Sequence, residues 1–226
     1  ILGSSGGIPR FDRVDIPLTD CYWVVICIIA GYLLALVFLV SDRVWEAVAK
    51  KFKGHDIAMA LVAGVILGVV GLVLPYVLFS GETQTHEVME AYATIPAIVL
   101  VITGFMKAVM TPMCIKLGWC GGEIFPCIFA GFVLGYGVAV LFGIDPAFSA
   151  TCTCAAFMGA KMRNPAFAAA LLLLCFPLRS IIWIIIAAFL GYIIPMPKAL
   201  VPNAKPRKKR GKKETAEVTQ GEQGGK

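Results

Sequence analysis

Residues Gly121, Gly122, Glu123, Ile124, Phe125 and Pro126 stand between an apolar stretch ending near Trp119 and another running from Ile124 to Phe142. A diglycine leading into a helix start leaves backbone amides that no helical carbonyl can satisfy. At membrane depth, such bare amides are donors for an anion. If a helix opens here, the amides of Glu123, Ile124 and Phe125 belong to its first turn, where the macrodipole adds about half a positive charge. Gly121 and Gly122 would let backbone approach a ligand without a Cβ in the way. Pro126 suits a first turn because it has no donor to lose and its φ is preset. Glu123 brings a carboxylate close to the same amides, either as a lid or as a peripheral salt-bridge partner. The plain alternative for the whole segment is a tight turn between two spans.

Lys107 is the second group of interest. It lies in the middle of the apolar stretch Thr94–Met113, where an ammonium must find a carbonyl, a carboxylate, an anion or a route to the interface. It reads equally as a structural group or as a source of positive potential. Arg163 and Arg179 stand at helix ends, where snorkelling explains them. The eight cysteines fall mostly within or beside apolar blocks and behave there as small hydrophobes. Cys152 and Cys154 have a spacing open to a metal reading, but His55 and His86 lie far off in loops, so no four-ligand set assembles and neither metal nor cofactor is expected.

The elements that must position these groups follow from composition. Of 226 residues, 59% are hydrophobic and 15% charged, and the mean hydropathy is +0.84. The apolar residues come in blocks too long for the core of a soluble domain of this size, so the chain reads as a multi-pass membrane protein, all-α, embedded in the lipid bilayer. The blocks are Cys21–Val40, Ile57–Phe79, Thr94–Met113, Ile124–Phe142, Pro146–Ala160, Ala166–Phe176 and Ile181–Ile194. The first four match the roughly 20 helical residues that cross a hydrocarbon core. The last three are shorter and broken at Asn164-Pro165 and at Pro177, which predicts tilted, interrupted helices of unequal length. Gly64, Gly68 and Gly71, and likewise Gly131 and Gly135, are spaced to let helices approach closely.

Residues 1–20 read as a leading segment or linker, Gly/Pro-rich and mixed in charge. With Ile1 in place of Met, the chain reads as a fragment or truncated product entering mid-protein. Residues 21–197 form the membrane unit and 198–226 the tail. Half of the 16 residues from Lys198 to Lys213 are Lys or Arg. Such a run is disordered and, by the positive-inside rule, cytoplasmic; topology and anionic lipid account for it, and no nucleic-acid partner is expected.

The stretch from Lys107 to Pro165 resembles the C-terminal half of the voltage-gated chloride channel (CLC) family, and the likeness extends from about Phe11 to Pro197. Three landmarks carry it. The family's second-half anion motif, Gly-x-Phe-x-Pro at a helix start, is similar to Gly121–Pro126. A basic residue in the preceding helix is matched by Lys107, fourteen positions upstream. A small-residue helix ending in Arg-x-Pro is matched by Ala155–Pro165. There are departures. Aligned on Pro126, the motif's Phe falls at Ile124, with Phe125 one place later, and Glu123 adds a carboxylate. The family tyrosine that touches the anion aligns near Ala199, so that ligand is absent unless Tyr192 substitutes.

The resemblance implies transport of chloride or a similar small anion by a channel or a chloride/proton exchanger. It also implies one half of an inverted repeat and a homodimer in which each subunit has its own pore. Helices corresponding to Cys21–Val40, Ala166–Phe176 and Ile181–Ile194 would make the dimer contact. Of the family's first-half segments, Gly3–Pro9 echoes the Gly-Ser-Gly-Ile-Pro turn, but no apolar helix follows it and the echo reads as chance; the segment with the gating glutamate is not seen, so half of the pore is read as missing from this chain. Two rivals stay open: another broken-helix transporter, whose carboxylate substrate would have Lys107 as its cation, and a non-transporting membrane subunit. An enzyme is not expected, since the apolar part carries no paired carboxylates, phosphate loop or Cys/His constellation.

Overall fold

The computed structural model describes residues 22–78, 80–177, 180–197 and 200. The leading segment 1–20, the basic tail from Lys198 onward apart from Leu200, and the positions of Arg179 and Ala199 lie outside the described residues. Among the described residues the secondary structure is entirely helical: α1 Trp23–Lys51, α2 Asp56–Val73, a 3-10 turn Pro75–Val77, α3 Glu82–Ala91, α4 Ala97–Lys116, α5 Ile124–Phe142, α6 Pro146–Met162, α7 Pro165–Leu172 and α8 Ile181–Ile193. Helices α1, α2, α4 and α5 are long and apolar enough to cross a membrane. The short α7 and α8 and the broken stretch after Val73 give the unequal lengths that the proline positions predict.

Helix α6 is the centre of the fold. Every residue from Ala147 to Lys161 is buried, and α6 packs against α1, α5, α7 and α8, while α4 packs against α5 and α1. Its sequence is rich in Ala, Cys, Thr and Gly, so neighbouring backbones can come close where lipid gives no hydrophobic push. A Cβ at Gly131 would lie 2.9 Å from the Cα of Cys154, and one at Gly135 would collide with Ala150; both glycines therefore set the α5–α6 distance. The helix starts are capped as their sequences dictate. Asp145 accepts from the Phe148 amide and Asn164 from the Phe167 amide, each followed by proline in the first turn.

Several sequence expectations are corrected. α1 runs eleven residues past Val40, carried by polar contacts at its end: Glu46 with Lys50 at 2.7 Å and Asp42 with Lys116 at 3.1 Å. Pro75 stops the second block, so α2 ends at Val73. The polar helix α3 was not anticipated. Of the α2 glycines, Gly68 alone meets nothing within 4 Å of its would-be Cβ; a Cβ at Gly71 would collide with the Leu78 side chain and one at Gly64 would lie 3.3 Å from the Trp119 ring, so close approach is needed at two of the three positions. Pro112 sits inside α4 without ending it; hydroxyls from Thr111 and Ser41 bond the nearby carbonyls of Lys107 and Val109.

Candidate anion site at the start of helix 5

Helix α5 starts at Ile124, the first residue of the apolar block Ile124–Phe142. Glu123 is the N-cap, Ile124 and Phe125 are the first two helical residues, and Pro126 is the third. The first helical hydrogen bond runs from the Cys127 amide to the Glu123 carbonyl at 3.1 Å. The amides of Glu123, Ile124 and Phe125 have no hydrogen-bond partner among the described residues, and Pro126 has no amide to satisfy. These unpaired donors, of which those of Ile124 and Phe125 lie within the first turn, stand at the positive end of a 19-residue helix and are the physical core of the candidate site.

Gly121 and Gly122 lead into this turn and are both exposed. A Cβ on either would meet nothing within 4 Å, and neither adopts a left-handed φ. The diglycine is therefore not demanded by packing within this chain; its one physical consequence is open access to the backbone.

Gly121, Gly122 and Pro126 line a cavity of about 330 Å³ together with Lys107, Thr111 and Trp119. The structure thus brings Lys107 and the α5 start to one space, although they belong to different helices. Glu123, Ile124 and Phe125, between the lining residues Gly122 and Pro126 in sequence, do not themselves line it. Tyr192 does not line it either. It sits under Arg163, whose guanidinium carbon is 4.8 Å from the ring centroid.

Lys107 is 2% exposed. Its ammonium donates to the carbonyl oxygens of Val77 at 2.8 Å and Leu78 at 3.1 Å and lies 5.4 Å from the Phe129 ring centroid. These carbonyls belong to the turn where α2 has been broken by Pro75, so the lysine satisfies backbone that the break exposes. That partner was not foreseen: the carbonyls come from a segment thirty positions earlier, and a lone lysine in an apolar helix gives no sign of them.

Sequence reasoning missed Lys161. It is buried near the C-terminal end of α6, with its Nζ 3.2 Å from the Glu123 carboxylate, 3.0 Å from Cys127 Sγ and 4.1 Å from the Phe38 ring centroid. Of the two readings of Glu123, this geometry gives the salt-bridge partner. The available signal was a lysine inside a small-residue helix, which the eye passes over as part of the Ala155–Pro165 landmark. Arg163, read as snorkelling, instead donates to the carbonyl of Tyr192 at 2.7 Å and so caps the end of α8.

A family model for voltage gated chloride channels matches residues 2–195. Among solved structures, the chain is similar to a CLC-type fluoride/proton antiporter, with a TM-score of 0.65 and 17% identity over 83% of this chain. It spans 47% of the length of that structure. No curated relative matches it. The helical fold agrees with that of the antiporter, and the family match covers most of the chain, including the α5 start and both lysines beside it: the chain belongs to the voltage gated chloride channel family.

Proposed function

We propose that this chain supplies one half of a pathway for chloride or a similar small anion across a lipid bilayer, and that the anion is held by the amides of Ile124 and Phe125. The observation that carries the reading is the pair of unpartnered amides at the α5 start, beside a cavity that also contains Lys107. Partial charges from backbone dipoles can bind a halide without a full countercharge that would trap it, which is what a conducting site requires. Neither lysine acts as a bare cation there. Lys107 is engaged by carbonyls and Lys161 by Glu123, so each raises the local potential without presenting a free ammonium to the ion.

The same reading has the whole protein acting as a homodimer and as a channel or a proton-coupled exchanger. Support for a further partner is the apolar outer surface. On α8, Ile182, Ile185, Phe189 and Ile193 are exposed, as are Val25, Ile29 and Leu33 on α1. The sidedness follows from charge. α1, α4 and α6 each carry lysine in their last turn at the end of the bundle where α5 begins, which supports a cytoplasmic position for that end.

The test is halide efflux from vesicles holding the full protein, with chloride and fluoride each assayed by ion-selective electrode. Fluoride is included because the solved relative is a fluoride/proton antiporter. Efflux of either ion above that of protein-free vesicles is the expected result, and a proton flux that follows the halide gradient marks exchange rather than conduction. No efflux of either ion would remove the transport reading.

A further inference from the structure

We propose that Lys161 is the positioning residue of the anion site: it holds the Glu123 carboxylate to one side of the α5 start and so keeps the amides of Ile124 and Phe125 open to an anion. The inference rests on the anion reading above. Glu123 occupies the N-cap position, from which an acidic side chain is drawn toward the first-turn amides both by hydrogen bonding and by the helix dipole. It makes no such bond. Its Oε1 lies instead 3.2 Å from Lys161 Nζ.

The two partners are unequal. The Lys161 side chain is 6% exposed and that of Glu123 47%, and the ammonium is further fixed by Cys127 Sγ and by the face of the Phe38 ring. The cation is thus anchored in the protein while the carboxylate stands half in solvent. A buried ammonium is costly to strip of its counter-charge, so the pair stays made while the site is empty. With Lys161 removed, nothing described near Glu123 would keep its carboxylate from turning onto the free amides, where it would act as an internal competitor of the anion. Lys161 touches no ion in this scheme; it acts through Glu123.

A double-mutant cycle separates this from a simple charge effect. Chloride and fluoride binding is measured by calorimetry on the full protein as wild type, K161M, E123Q and K161M/E123Q, each eluting as a single species. If Lys161 were only a nearby positive charge, its removal would weaken binding equally with or without Glu123. Positioning predicts that K161M costs at least about tenfold more affinity in the wild-type background than in the E123Q background, the scale of one charge-assisted hydrogen-bond competitor. K161R, which keeps the ion pair, should bind as wild type. Equal losses in the two backgrounds overturn the proposal, as does a K161M protein that binds like wild type. Should K161M not fold, the double variant must still bind within about threefold of wild type, because both ends of the pair are then neutral; weaker binding overturns the proposal. A wild-type protein that binds neither halide overturns the underlying anion reading and this inference with it, and is told apart because the wild type itself fails.

Discussion

Lys107, at the middle of α4, donates to the carbonyl oxygen of Val77 at 2.8 Å, on the turn that follows the broken end of α2. One buried ammonium thereby supports the wall of the cavity that the α5 start opens into. Lys107→Met removes the donor and leaves the Val77 and Leu78 carbonyls without it in a buried setting. The expected loss is about 1–3 kcal/mol of stability, read as a lowered thermal midpoint in detergent. An unchanged midpoint would show that these carbonyls are satisfied without the lysine.

The diglycine predicts a separation between folding and binding. Gly122→Ala places a methyl group where nothing lies within 4 Å, so stability should stay within about 0.5 kcal/mol of wild type. Halide affinity should fall, because the added methyl group narrows the approach to the backbone that the diglycine leaves open. Loss of stability with intact affinity would reverse the roles assigned to this segment.

The small-residue contacts make a contrasting pair. Gly135→Leu drives a side chain into the Ala150 backbone and should abolish a single folded species on size exclusion. Gly68→Ala, on an open face of α2, should be neutral or stabilise by up to about 1 kcal/mol through helix propensity. If Gly68→Ala destabilises strongly, α2 packs there against a part of the protein beyond this chain.

Much of this was legible in the sequence, and the failures have physical causes. The bounds of α5, Ile124–Phe142, are legible because Pro126 and Gly143 punctuate the stretch and the residues between are apolar or small. α3 was invisible because it is short and polar, without apolar periodicity to announce a helix. The length of α1 was underread because its last turns, around Asp42, Glu46 and Lys50, look like a loop until Lys116 of α4 is placed beside them. For the site, the local motif revealed Gly121–Pro126, and hydropathy drew the eye to Lys107. The link between Lys161 and Glu123 joins positions 38 apart that meet only because α5 and α6 run antiparallel at close range.

The proposed orientation, argued from the charge distribution, can be checked by labelling. Lys50, Lys51 and Lys116 lie at the α5-start end of the bundle, whereas the exposed Glu87 and Glu90 belong to α3. A single cysteine introduced at the exposed Lys53 should be reached by an impermeant maleimide only in inside-out vesicles, and protease applied outside right-side-out cells should spare the tail 198–226. Labelling at position 53 from outside intact cells would invert the topology.

The central claim is that backbone amides at the α5 start bind the anion, and exchanging one of them tests it most directly. Replacing Phe125 by its α-hydroxy analogue converts the amide into an ester, removing a single N–H while keeping the side chain. Halide binding to the full protein, measured by calorimetry, should weaken by about tenfold, the worth of one hydrogen bond to a charged partner. A protein whose wild type binds halide and whose ester form binds it equally well would contradict the account.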